Sequence, residues 1–313
     1  MAEEEASVSN GTLWTTVLIV PAVIVLTAGF FYVYNAVLSL MTKTSLRNKV
    51  VVITDALSGL GTECAKIFHK DGARLILCGQ SWEKLESLSQ KLSEDCDPTL
   101  TFPTKLVMVD FGDMDSLPEV IVEVMECYGC LDILIINSSM KIKAPVQDTS
   151  LELDHAVMDM NYFGPTTLAK GVLPSMISRR GGHILLINSI QGKLALPFRT
   201  TYAASKHAVQ AFFDCLRAEV QEYGISVSTI SHTFISGPPG TKEDATAKSA
   251  SSPSQYLGIT INEMVGEIVK ILSSKKKEVV LARTLSKAAI YARALLPNLV
   301  FSVTAAGVQG KAP

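Results

Sequence analysis

Residues 49–61 read Lys-Val-Val-Val-Ile-Thr-Asp-Ala-Leu-Ser-Gly-Leu-Gly. Lys49–Thr54 is an unbroken β-branched apolar run, the pattern of a strand covered on both faces. Gly59 and Gly61 follow in a turn, and a helical pattern continues over Glu63–Lys70. The same rhythm repeats downstream. Arg74–Cys78 (RLILC), Lys105–Asp110 (KLVMVD) and Asp132–Asn137 (DILIIN) are the next strands. His183–Asn188 (HILLIN), Ser226–Ile230 (SVSTI) and Glu278–Leu281 follow. Helical patterns near Trp82–Leu92, Leu117–Cys127 and Asn262–Leu272 fall between them. Continuous strands alternating with helices predict an α/β domain over residues 45–283. Its sheet is doubly wound and parallel, Rossmann-type, with about seven strands.

Composition agrees. The chain has 313 residues, 48% hydrophobic and 19% charged, which is globular and not disordered. A net charge of −2 argues against nucleic acid as a partner, which asks for a basic surface. Six scattered cysteines are too few for a disulfide framework at this size. A mean hydropathy of +0.29 is high for a soluble enzyme and directs attention to the chain's ends.

Residues 13–41 are mostly apolar and uncharged, longer than the roughly 20 residues a helix needs to cross a bilayer. Glu3–Glu5 precede the stretch and Lys43, Arg47 and Lys49 follow it, the reverse of a cleaved signal peptide. This pattern predicts a transmembrane helix preceding the domain. Residues 1–12 would then form a short lumenal tail and the α/β domain would face the cytosol. Asn10-Gly11-Thr12 is a glycosylation sequon in that tail. Residues 236–258, rich in Ser, Gly, Pro and charge, predict a mobile loop after the sixth strand. The apolar extension 284–313 is compatible with a core-covering helix, a homodimer face or a second membrane-touching segment.

Open α/β sheets bind ligands at the carboxyl ends of their strands, where strand order reverses. In the first turn, Gly59 and Gly61 allow a backbone to approach a pyrophosphate at a helix N-terminus. Tyr202 and Lys206, four residues apart, share one helical face. A nearby ammonium favours a phenolate, which makes the tyrosine a usable proton donor and acceptor. Ser189 ends the fifth strand, where its hydroxyl could meet a substrate oxygen beside Tyr202.

With Asn161 in Met160-Asn161-Tyr162-Phe163-Gly164, these motifs resemble the short-chain dehydrogenase/reductase family over roughly residues 48–235. The resemblance implies that Tyr202 is the general acid/base, Lys206 its partner and a ribose contact, Ser189 the substrate anchor and Asn161 part of a proton relay. It also implies that Asp55, Ser58, Gly59, Leu60, Gly61, Asp110, Asn137 and Ser236 line the cofactor, together with Tyr202 and Lys206. The runs Pro197–Lys206 and Phe212–Glu219 are similar to a membrane-anchored subgroup. That likeness implies a reticulum membrane, endoplasmic or sarcoplasmic, and a lipophilic alcohol such as a retinol or steroid. The alternative reading is a catalytically weak member that senses cofactor or acts as a scaffold.

Several positions depart from the family pattern. Asp55 stands where glycine is usual, Asn137-Ser138-Ser139 replaces Asn-Asn-Ala-Gly, and His232-Thr233 replaces Pro-Gly. Gly79 and Gln80, after the second strand, offer neither an acid for the ribose nor a cation for a 2′-phosphate. The missing cation favours NAD, with NADP not excluded. Cys127 and Cys130 have metal-like spacing without a second pair, so no metal site is expected. His207 lies off the face of Tyr202 and Lys206 and is read as packing or surface.

Overall fold

The structure, a computed structural model, describes residues 46–236 and 258–309, with residues 19, 21–23, 25–34 and 37 of the N-terminal segment. The chain divides into two units, Met1–Thr44 and Ser45–Pro313. In the first, residues 21–23 and 25–34 (α1) are helical and exposed, with Phe30 and Tyr34 stacked one turn apart. Among the described residues no helix is long and apolar enough to cross a membrane. The remainder of the predicted span 13–41, the acidic tail and the sequon lie outside the described residues.

The second unit is built on a seven-stranded sheet. Its strands are β1 (Val50–Ile53), β2 (Arg74–Gly79), β3 (Lys105–Met108), β4 (Ile133–Ile136), β5 (Gly182–Ser189), β6 (Ile225–His232) and β9 (Glu278–Leu281). They run in the order β3-β2-β1-β4-β5-β6-β9, every pair parallel. Strand order reverses between β1 and β4, which opens a crevice at their carboxyl ends. A separate two-stranded pair, β7 (Ile235–Ser236) with β8 (Ile259–Thr260), brackets the segment predicted as a mobile loop. Residues 237–257 themselves lie outside the described residues.

The apolar strands are continuous because successive side chains enter two different cores. Val51, Ile53, Leu75 and Leu77 pack on one face with α2 (Gly59–Lys70), α3 (Trp82–Glu94) and α8 (Ile261–Ser274). Val50, Val52, Ile76 and Cys78 pack on the other with α4 (Leu117–Glu126), α6 (Gly164–Ser178) and α7 (Thr200–Glu219). Phe68 and Phe213 anchor opposite cores at 0% exposure, each stabilising by about 2–3 kcal/mol of buried apolar area. Between β4 and β5 the chain also forms α5 (Leu151–Met158) and a π turn over Asp159–Phe163, neither anticipated from periodicity. The apolar extension is two helices of the same unit, α9 (Thr284–Leu295) and α10 (Pro297–Gln309).

Candidate active site

The β1–α2 turn is held by its own polar groups. Ser58 caps α2, its hydroxyl accepting from the Gly61 amide at 3.1 Å and donating to the Asp55 carbonyl at 2.8 Å. Gly61 is required there, because a Cβ would stand 2.0 Å from that same carbonyl. Gly59 opens the helix and Leu60 turns into the core at 6% exposure. From β4, the Asn137 amide group donates to Ser58 Oγ at 2.9 Å and to the Asp55 carbonyl at 3.3 Å. Thr54 Oγ1 accepts from the Asn137 backbone amide at 3.0 Å and pairs with Ser138 Oγ at 3.1 Å. Asn137 therefore braces the turn.

Beside this turn lies a cleft of about 380 Å³, with Asp55, Gly79, Gln80, Ser138 and Ser139 among its lining residues. Lys84, in the first turn of α3, also lines it. Inspection of residues 79 and 80 alone misses this cation; helical phase, which brings Lys84 back toward the strand end, could have shown it. Asp110, just past β3, accepts from Gln80 Nε2 and from the Gly112 amide, both at 2.8 Å. Ser236 closes β7, opposite Thr260, and is the last described residue before 258.

The second corner lies at the end of β5. Gly192 brings the turn after β5 against α7, where a Cβ would stand 2.6 Å from the Lys206 carbonyl. Tyr202 and Lys206 are buried at 3% and 1% exposure, the ammonium 5.8 Å from the phenol ring centroid. Among the described residues, the Tyr202 hydroxyl makes no hydrogen bond to protein. Lys206 Nζ donates to the Ser138 carbonyl at 3.4 Å, which joins the two corners. Burial, and secondarily the charge of Lys141, push the Lys206 ammonium down to about 7. Ser189, 8% exposed, accepts from the Gln191 amide at 3.2 Å.

Asn161 sits in the π turn, buried at 1% exposure. It accepts from the Met140 amide at 2.7 Å and donates to the Met140 carbonyl and Ser205 Oγ at 2.9 and 3.0 Å. It thus ties the segment after β4 to α7. Single π turns of this kind recur at functional sites. His232 pairs in register with Ser189, so its imidazole joins this corner. Burial pushes it down to about 4, with the charges of Lys141 and Lys206 adding to the shift against a bond to the Thr233 carbonyl. It is neutral at physiological pH. Composition marks His232 only as a departure from the usual Pro-Gly; the β5–β6 register gives it a place.

His207 is exposed and its Nδ1 pairs with the Ala203 carbonyl, in keeping with a surface role. Cys127 caps the end of α4, and no group of three metal-ligating side chains exists among the described residues.

The geometry is that of a dinucleotide-type sheet with a Tyr–Lys pair at its switch point, and known proteins match it. The family model for short chain dehydrogenase matches residues 49–248. Dehydrogenase/reductase SDR family member 7C-B of Danio rerio is 61% identical over 289 residues, 91% of each chain. Dehydrogenase/reductase SDR family member 7C of Homo sapiens is 49% identical over 300 residues, covering 94% of this chain and 96% of the relative. Among solved structures, L-sorbose reductase from Gluconobacter frateurii, complexed with NADPH and L-sorbose, superposes with a TM-score of 0.67. It is 23% identical and covers 76% of this chain and 97% of its own. At that identity the likeness speaks for the fold. The two corners, the sheet order and the member 7C relatives converge: this chain is an oxidoreductase that belongs to the short-chain dehydrogenase/reductase family.

Proposed function

We propose that the chain interconverts a lipophilic alcohol and its carbonyl, of retinoid or steroid type, with a nicotinamide dinucleotide as hydride partner. The observation that carries this reading is the buried Tyr202–Lys206 pair, its phenol hydroxyl without a hydrogen bond among the described residues, on the helix that packs against the turn after Ser189. The residues present fit such a cofactor: Gly61 lets the β1–α2 turn close tightly on itself, and the cleft lined by Thr54, Asp55, Gly79 and Ser138 opens beside that turn. Gly59, Leu60 and Gly61 would offer backbone to the pyrophosphate, with Ser58, Asn137 and Asp55 shaping the turn that presents it. Asp110 and Ser236 are proposed further along the same groove. NAD is the preferred form by the absence of a cation at Gly79 and Gln80, and Lys84 is the residue through which NADP would be admitted.

The bound nicotinamide supplies or accepts the hydride. Ser189 donates a hydrogen bond to the substrate oxygen and fixes it near Tyr202. Tyr202 gives its hydroxyl proton to that oxygen in reduction and receives it in oxidation. Lys206, charged, stabilises the phenolate that forms transiently. Asn161 holds the Met140 segment and α7 in register, so the pair keeps its spacing. A neutral His232 adds no second charge to the pocket.

The apolar stretch 13–41, flanked by acid before and base after, supports a single-pass anchor in endoplasmic or sarcoplasmic reticulum with this domain facing the cytosol. The bilayer would then be both partner and substrate reservoir. Full-length chain in sealed right-side-out microsomes, given membrane-impermeant NAD or NADP from outside, is expected to oxidise a panel of lipid alcohols. No product from any of them, with undiminished cofactor binding, would favour the sensor or scaffold alternative, whose support is Asp55 at the turn.

A further inference from the structure

We infer that α9 and α10 form a cationic, apolar dock for the surface of an anionic phospholipid bilayer, separate from the stretch at residues 13–41. No residue of α9 is buried. Tyr291, Leu295, Leu296, Leu299, Phe301 and Val303 are between 51% and 77% exposed. Six large apolar side chains exposed along two successive helices of a folded domain point to a binding face. Along the segment itself the charge has one sign, with Glu263 of α8 the acidic group within electrostatic reach of Arg283. Beyond Glu278 the chain carries no acidic residue, while Arg283, Lys287, Arg293 and Lys311 are all basic.

Arg293 lies 4.6 Å from the Phe301 ring centroid, so the cation stacks on apolar surface and links the two helices. Side chains of this type lay an apolar stem along hydrocarbon and keep the charge at headgroup level. Each such cation is attracted to an anionic leaflet, and the attraction falls off within a Debye length. A second copy of the chain fits less well. An isologous contact would set Arg283, Lys287 and Arg293 against the same three cations, a repulsion that anionic lipid converts into attraction.

The placement also has a use. Thr304 and Gly307 of α10 face Lys143, Pro197 and Phe198 across a groove of about 430 Å³. Phe198 stands two residues before α7, the helix that carries Tyr202. A bilayer against α9 and α10 would therefore open beside the catalytic helix, with Lys143 adding a cation to the rim.

The test uses the full chain reconstituted in phosphatidylcholine vesicles with and without phosphatidylserine. Backbone amides of 285–306 are expected to exchange several-fold more slowly with phosphatidylserine. The gain should vanish at high salt and in the Arg283→Glu/Lys287→Glu/Arg293→Glu variant. With Trp14→Phe and Trp82→Phe in place, Phe301→Trp supplies the fluorescence that brominated lipid quenches, which keeps the dock testable if the charge-reversed variant folds poorly. Exchange indifferent to phosphatidylserine, or unquenched Trp fluorescence, overturns the inference. So does protection already complete in detergent with a doubled sedimenting mass, which would place a second copy on the face. Retention in plain phosphatidylcholine vesicles reports the 13–41 stretch, and its failure leaves phosphatidylserine-dependent flotation to report the dock.

Discussion

The two corners of the site treat their polar groups in opposite ways. At the β1–α2 turn, Thr54, Ser58, Asn137 and Ser138 bond to one another or to the turn's own backbone. At the end of β5, the Tyr202 hydroxyl has no hydrogen bond among the described residues although the side chain is almost wholly buried. The first corner uses hydrogen bonds to hold a backbone shape; the second carries a polar group whose partner must arrive from outside. Of the sequence departures, Asp55 and the segment after Asn137 lie in the first and His232-Thr233 in the second, while Tyr202 and Lys206 keep the family pattern. Affinity for the cofactor and rate of chemistry should therefore respond to separate residues.

The largest expected effect is on rate. Tyr202→Phe should lower turnover by about 10²-fold or more, the usual scale for a lost general acid/base, with cofactor affinity and melting temperature nearly unchanged. Steady-state kinetics beside a cofactor titration check this, and an equal loss of affinity would collapse the distinction between the corners. Gly61→Ala probes the other side. A methyl 2.0 Å from the Asp55 carbonyl must displace the turn, so about 2 kcal/mol of stability and tenfold in dinucleotide affinity should go. Unaltered affinity in calorimetry would show that the turn does not meet the cofactor.

Lys206 belongs to both corners through Ser138, and its protonation separates their contributions. Its folded pKa of about 7 lies below the ordinary 10.5. Between those values the unfolded chain binds a proton that the folded chain does not, so stability rises with pH across this window. The corresponding stability is complete above 10.5 and is lost as pH falls through about 7. Lys206→Met should consequently stabilise the free chain at pH 7 by about 2 kcal/mol and flatten that pH dependence, while turnover falls. Denaturant melts at pH 7 and 9 measure it; a destabilised variant would mean that the ammonium is better satisfied than its single bond to Ser138 suggests.

The smallest effect is expected at Asp55. Asp55 lines the cleft, and Asp55→Gly should tighten dinucleotide binding several-fold, about 1 kcal/mol, with the gain shrinking as salt rises. Weaker binding by the variant would give Asp55 a supporting role in the turn.

The sheet was legible because Val50–Ile53, Leu75–Cys78 and Ile133–Ile136 each show the unbroken apolar run that two-sided burial demands. The roles proposed for Ser189, Tyr202 and Lys206 rest on motif order, and the structure adds that Tyr202 and Lys206 are both buried. What motif order leaves out are features set by strand register or helical phase. His232 acquires a place only from its pairing with Ser189, and Lys84 only from the first turn of α3 against the end of β2. The π turn at Asn161 escaped because its extra residue breaks the 3.6 periodicity by which helices are recognised. Strand ends were read one or two residues too long at Asp110 and Asn137, where polar side chains already belong to the loops.

The reversal of strand order between β1 and β4 also governs how the chain folds. Val50 donates its amide to Asp132 across 82 residues, and Val51 pairs with Ile133 at the same remove. The loop-closure entropy of that pairing must be met before any contact across the crevice rewards it, which makes for slow assembly. During synthesis, β1 and β2 can associate early, but β1 keeps one edge open until β4 leaves the ribosome. Apolar residues such as Val51 and Ile53 form the exposed rim for that interval, where pairing with another chain competes with pairing at home. The same long-range closure that creates the ligand crevice makes the chain's most vulnerable moment the wait for its fourth strand.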